Sequence, residues 1–253
     1  MACHGCATRI EGVPPASRNA IDPPTAVALR NAFGAFEVDD EAHVLVLTGA
    51  GGHFCAGADI SEFATQRADA TSGRIYEVAN EAATTALRDC RKPTIAAVSG
   101  YGMGGGCALA LACDLRVGDA TTRMGVPAAR LGVVYGELDC ALLLRQLGLA
   151  NAKRVLFTGR AFDASECAVM GLVDIVASGQ ALPAARVLAE EIASNAPLSL
   201  YGSKLVLDAL AGGTIASRHA EIAAVIEGAM NSADYREGAR AFLEKRKPVF
   251  EGR

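Results

Sequence analysis

Two glycine-rich stretches hold the residue types best suited to chemistry. The first is Gly49-Ala50-Gly51-Gly52-His53-Phe54-Cys55-Ala56-Gly57-Ala58-Asp59-Ile60, which follows an apolar run and leads to Asp59, a residue type that caps helices. The second is Gly100-Tyr101-Gly102-Met103-Gly104-Gly105-Gly106-Cys107, again with an apolar run before it and an all-apolar helical run after it. Glycine lets a backbone N–H point into a cavity with no side chain in the way. A helix start adds unsatisfied N–H groups and the positive end of the helix dipole. Two such starts at the C-terminal ends of neighbouring strands make a place for negative charge on an oxygen. Each run taken alone reads equally well as a tight strand-to-helix turn.

Other chemistries fit the residues poorly. Gly100, Gly102 and Gly105 have GxGxxG spacing, but they lie in mid-chain and the next strand, Leu115-Arg116-Val117, supplies no acidic residue at the expected distance. There is no Gly-Lys-Ser/Thr and no GxSxG, and the four scattered histidines suggest no triad; His53 reads as a loop residue. Of the eight cysteines most sit in apolar segments as small hydrophobes. Cys3-His4-Gly5-Cys6 has metal-like spacing but no second pair, so a terminus with reduced thiols is the simpler reading.

The elements that must position the two glycine runs are legible around them. Val44-Leu45-Val46-Leu47-Thr48 and Thr94-Ile95-Ala96-Ala97-Val98 are short, β-branched and ended by glycine, as buried parallel strands are. A helical stretch from about Arg74 to Asp89 lies between them, which makes a βαβ unit. Helical spacing also runs from Pro24 to about Phe36, and Cys107 to Ala112 reads as a buried helix. Leu115-Arg116-Val117 and Leu172-Val173-Asp174-Ile175-Val176 are further strands, and Glu137 to Gly148 a helix. From Ala181 to about Glu244 the pattern is almost wholly helical, with long helices apolar on one side. The expected organisation is an α/β core over residues 1–178 and a helical region over 179–253.

Composition bounds the partners. The chain has 253 residues, 51% hydrophobic and 21% charged, with a net charge of -4 and no basic stripe of the kind a nucleic acid backbone requires. No apolar run approaches the about 20 residues that span a bilayer, and the start lacks a signal-peptide pattern. The expectation is a cytoplasmic protein with no nucleic acid or membrane partner. The basic Lys245-Arg246-Lys247 suits a helix C-terminus.

With both glycine runs read, the chain resembles the enoyl-CoA hydratase/isomerase (crotonase) family. The matching pieces are Phe54 to Ile60, Lys92-Pro93 through Asp114, Leu156 to Arg160, Gly171-Leu172-Val173, and the tail Arg236-Glu237-Gly238 to Arg246. The resemblance implies a ββα spiral core with a helical C-terminal trimerisation region, and a homotrimer or dimer of trimers. It implies an acyl-CoA substrate, with coenzyme A entering as part of that substrate and no metal or redox cofactor. The N–H groups of Ala58 and Gly105 correspond to the family's oxyanion hole for the thioester oxygen. Ser17, Arg18, Ala56, Asp59 and Ile60 fall on the family's CoA-contacting segments, while Phe242 and Lys245 resemble the pair that reaches a neighbouring subunit's CoA.

Two departures stand out. Family hydratases carry a glutamate just after the glycine run and another in a Pro-Glu pair, and here those positions read Ala108 and Ala128. Alanine transfers no proton, and water addition needs one group to activate water and one to deliver the α-proton. Glu137 is the first choice for a substitute acid/base, with Tyr135 as a donor and Asp139 behind; Glu137 also reads as the first-turn charge of its helix. Met103, Phe63, Leu138 and Leu142 suit either an acyl pocket or the core. The second departure is that residues 1–15 lack the opening hairpin of the family. Three functions follow: a hydratase/isomerase with a non-standard carboxylate, another thioester reaction (double-bond migration, hydrolysis, decarboxylation), or a non-catalytic acyl-CoA binder.

Overall fold

The computed structural model describes residues 18–58 and 70–253, with side chains from residue 77 onward in the helix that begins at Ala70. Seven strands among these residues form two sheets. β1 (Leu45–Thr48), β2 (Thr94–Val98), β4 (Leu115–Gly118) and β7 (Ile175–Val176) make a parallel sheet in the order β1-β2-β4-β7. β3 (Tyr101–Met103), β5 (Arg123–Gly125) and β6 (Phe162–Asp163) make the second, with β3 parallel and β6 antiparallel to β5.

The helices are α1 (Pro23–Val38), α2 (Ala70–Arg88), α3 (Gly105–Ala112), α4 (Ala128–Leu131), α5 (Glu137–Thr158), α6 (Ala164–Met170), α7 (Ala181–Ala193), α8 (Pro197–Ala211), α9 (His219–Asn231) and α10 (Ala233–Glu244). A unit recurs: β2-β3-α3, then β4-β5-α4, each giving a strand to the first sheet, a strand to the second and a helix. An isolated parallel bridge from Cys55 to Gly102 extends the second sheet back toward β1 in the same sense.

The first sheet is buried on both faces over most of β1, β2 and β4, which explains their apolar runs, while the edge strand β7 is exposed. Val44, Val46, Ile95, Ala97 and Val117 point to one face and pack against Ala181, Ala185 and Ala189 of α7. Those alanines recur every four residues, so a smooth stripe lets α7 lie close on the sheet. By packing, α7 therefore belongs with the sheet although it follows the boundary expected at residue 178. Leu45, Ala96 and Val98 point to the opposite face, into the main core with Phe33, Leu87, Leu109 and Leu111.

The expected β1, β2, β4 and α3 are present, and β1–α2–β2 is a parallel βαβ unit. The expected strand over residues 172–176 pairs only at Ile175 and Val176. Leu172 and Val173 instead fill the core, where apolar burial rather than sheet pairing accounts for their type. β3, β5 and β6 escape any periodicity rule because they are two or three residues long. The expectations for residues 1–15, including Cys3 and Cys6, lie outside the described residues.

The C-terminal helices α8 and α9 share a small cluster of Leu205, Ala209 and Ile222. Lys204 ties α8 to the core by an ion pair to Asp114 at 2.8 Å, and Arg145 of α5 pairs with Asp208. Leu207, Met230, Phe242 and Leu243 remain exposed on this region. No helix among the described residues is long and apolar enough to cross a membrane.

Candidate active site

The glycine runs meet because β3 brings one beside the other. Cys55 donates its N–H to the Tyr101 carbonyl at 2.8 Å, and Met103 returns one to the Cys55 carbonyl at 2.9 Å. The chain behind this ladder admits no side chain: a Cβ on Gly57, whose φ is +91°, would stand 2.6 Å from the Met103 carbonyl oxygen and 3.3 Å from Gly105 N. A Cβ on Gly106 would stand 2.3 Å from the Cys55 oxygen. These glycines are dictated by close backbone approach, not merely by a turn.

Two peptide planes set the direction of the N–H groups. Ile21 donates to the Gly57 carbonyl at 2.8 Å, and there is no cis peptide bond among the described residues. In a trans peptide the N–H points opposite to the carbonyl, so the Ala58 N–H faces away from Ile21. The Gly104 carbonyl accepts from Ala108 N at 3.1 Å, inside the first turn of α3. The Gly105 N–H therefore projects from the start of that helix, with no acceptor in its own turn. Ala58 and Gly105 line one cavity of about 190 Å³. Among the described residues nothing stands within 4 Å of where a Gly105 Cβ would be, so that position opens into free space.

Ala108 and Ala128, the two alanines at the hydratase glutamate positions of the resemblance, also line this cavity. So do Ile21, Leu29, Leu109, Leu131, Val133 and Val134, which give it apolar walls. Its remaining lining includes Tyr135, Asp139, Glu77 and Glu81. The Tyr135 hydroxyl comes within 3.5 Å of the Cβ position at Gly104, next to Gly105. The Asp139 carboxyl is pushed up to about 6, first by burial and then by the negative charges of Glu81 and Glu77.

Glu137 stands elsewhere. It is the first residue of α5, exposed, and it is not among the residues that line the cavity. Asp139, two residues on and turned about 200° around the helix, faces inward instead. No local sequence signal marks Glu77 and Glu81; their i,i+4 spacing puts both on one face of α2, but only the fold aims that face at the cavity.

Of the other expected residues, Ala56 lines the cavity, and its N–H is held by the Arg18 carbonyl at 3.0 Å. Arg18 itself is exposed, with a left-handed backbone (φ 53°), and its guanidinium lies 5.2 Å from the Tyr101 ring centre. The next residue, Asn19, anchors this segment by donating its side-chain amide to the carbonyls of Ala50 and His53 at 2.9 and 2.7 Å. Phe242 and Lys245 are exposed at the end of α10. Leu142 is a core residue with Leu138 packed against that core, and neither lines the cavity. Ser17, Asp59, Ile60 and Phe63 lie outside the described residues.

The cysteines nearby are not nucleophiles. Burial pushes Cys55 and Cys107 to about 12, which leaves essentially no thiolate at neutral pH. His53 accepts from Tyr101 N at 3.3 Å and stacks on the Tyr101 ring at 5.2 Å, so it braces the loop.

Comparison with known proteins gives one answer. A family model described as enoyl-CoA hydratase/isomerase matches residues 10–253. The chain is 32% identical to the short-chain-enoyl-CoA hydratase of Clostridium acetobutylicum, over 92% of this chain and 89% of that one. It is 33% identical to the 2,3-dehydroadipyl-CoA hydratase of Escherichia coli, with 94% and 92% covered. Its structure superposes on the enoyl-CoA hydratase from Bacillus anthracis with a TM-score of 0.89 at 29% identity, covering 95% and 93% of the two chains.

Proposed function

Because the chain belongs to the enoyl-CoA hydratase/isomerase family and has the crotonase fold, we propose that it moves a proton next to the carbonyl of an acyl-CoA thioester. The N–H groups of Ala58 and Gly105 hold the thioester oxygen as negative charge grows on it. Asp139 is the acid/base, in place of the two glutamates that Ala108 and Ala128 do not supply. The observation that carries this reading is that both N–H donors and one half-buried carboxylate, raised to about 6, line the same cavity. A base with that pKa is mostly ionised at neutral pH and still returns its proton readily.

Isomerisation needs a single acid/base, whereas water addition needs two groups. Asp139 takes the α-proton from a 3-enoyl thioester, the C–H electrons become the enolate held by the two N–H groups, and the same carboxyl returns the proton to the γ-carbon as the double bond shifts into conjugation. No water enters and no second acid is needed. Coenzyme A is carried as part of the substrate, and the exposed apolar side chains of α8 to α10 suit packing against further copies of the chain as a trimer.

The test offers the enzyme 3-hexenoyl-CoA and crotonyl-CoA in separate cuvettes. The expected result is a rise in conjugated-thioester absorbance with the first, reduced about 10²–10⁴-fold in Asp139→Asn. Loss of absorbance with crotonyl-CoA instead assigns hydration, and tight thioester binding without either change assigns a binding role.

A further inference from the structure

The acyl cavity is charged with one sign only. Among its described lining residues there are three carboxylates, Glu77, Glu81 and Asp139, and no lysine, arginine or histidine. Glu77 and Glu81 stand one helical turn apart on α2, where like charges disfavour each other, and no ion pair to either is present among the described residues. Asp139 belongs to the facing helix α5 and feels both charges.

Asp139 serves the reacting carbons, and Glu77 and Glu81 supply the charge that a longer chain meets. Tyr135 stands over Gly104, and its neighbour Gly136 has a Cβ position 3.1 Å from Glu81 Oε1. A chain leaving the thioester carbonyl at Ala58 and Gly105 passes Tyr135 and then meets Glu81. Glu77 and Glu81 are exposed to solvent where they line the cavity, so their field acts on a chain end partly through water and is weakened by salt.

We infer that this cavity selects acyl chains by the charge at their far end, accepting an ammonium-ended chain best, a neutral chain next and a carboxylate-ended chain worst. The inference rests on the thioester reading above and adds the substrate class to it. A terminal ammonium relieves the repulsion between Glu77 and Glu81, whereas a terminal carboxylate adds a fourth negative charge to the three. Recognition of this kind works through the field of the pair and needs no new hydrogen bond.

The test is calorimetric binding of three saturated six-carbon acyl-CoA thioesters, ending in methyl, trimethylammonium or carboxylate. Saturated chains carry no double bond to migrate, so affinity is read apart from turnover. The expected order is ammonium, methyl, carboxylate, with the two charged chains at least tenfold apart and the gap narrowing with added salt. Glu77→Gln/Glu81→Gln is expected to bring the three within about twofold, by weakening the ammonium chain and strengthening the carboxylate chain while the methyl chain stays unchanged. That unchanged arm separates a lost charge from a damaged fold. Equal binding of all three by the unaltered protein overturns the inference and leaves the thioester reading standing. Failure of all three to bind overturns both.

Discussion

Asp139 lies in the first turn of α5, where the helix dipole favours its charge, yet its carboxyl is pushed up to about 6 because burial and two facing glutamates outweigh the dipole. Its pKa in the folded chain exceeds the ordinary 3.8, so the folded state holds an extra proton between 3.8 and about 6, and stability falls as pH rises through that window. Asp139→Asn is therefore expected to raise stability by at most about 3 kcal/mol above pH 6, with the gain vanishing below pH 3.8. Urea melts at the two ends of the window check it; a gain that persists at low pH points to packing instead of charge. As a base, the same group makes kcat/KM rise with pH through about 6, and a pH–rate profile that is flat from 5 to 8 removes Asp139 from the reaction. Gly57 is the other residue to probe. A methyl there meets the Met103 carbonyl at 2.6 Å and the backbone is left-handed, so Gly57→Ala should cost roughly 1–3 kcal/mol from strain. By turning the Ala58 N–H it should also lower kcat about 10²–10³-fold.

At the level of elements, the sheet is clamped by two different kinds of partner. α7 contributes a stripe of alanines against Val46, Ile95 and Val117, and Ala185 is fully buried. Enlarging it to leucine forces the helix off the sheet, and Ala185→Leu is expected to destabilise by about 1–3 kcal/mol with little change in KM, measured by a shift of the urea midpoint. The last residues are clamped by charge instead. Glu237 of α10 accepts from Arg240, Arg246 and the Val249 N–H, and those partners, Arg246 first, hold its carboxyl well below the usual range. Asp234 accepts from the N–H groups of Glu251 and Gly252 at 2.7 and 2.9 Å. Because the Glu237 pKa is depressed, its support is present at neutral pH and lost as acid protonates it. Glu237→Gln should accordingly expose residues 246–253 to proteolysis at neutral pH while the core stays protected; unchanged cleavage there would mean that Asp234 alone holds the tail.

Over the whole molecule, the spiral and the helical region do different work. The spiral buries a dense core and holds the two backbone donors with glycines that tolerate no side chain. The helical region keeps a small core of its own and leaves apolar side chains such as Leu243 and Phe242 more than 80% exposed. Surface of that kind is costly on a monomer and fits association with other copies. Sedimentation is expected to give a multiple of three protomers, and a monomer at micromolar concentration would refute it.

Much of this was readable from residue order alone. β1 and β2 announce themselves because a strand buried on both faces must be continuously apolar, and the glycine runs because they mark the step from strand to helix, with Gly57 and Gly106 held to glycine by close backbone approach. The family follows from those same segments. What spacing could not decide was which carboxylate faces the cavity. Glu137 and Asp139 are two positions apart, a separation that turns them to opposite sides of a helix, and nothing local says which side is inward. Glu77 and Glu81 come from about sixty residues upstream, and only the packing of α2 and α5 across the cavity brings their charges to bear on Asp139. Period and composition determine an element and its buried face; the meeting of two polar faces is set by tertiary contacts that no local rule contains.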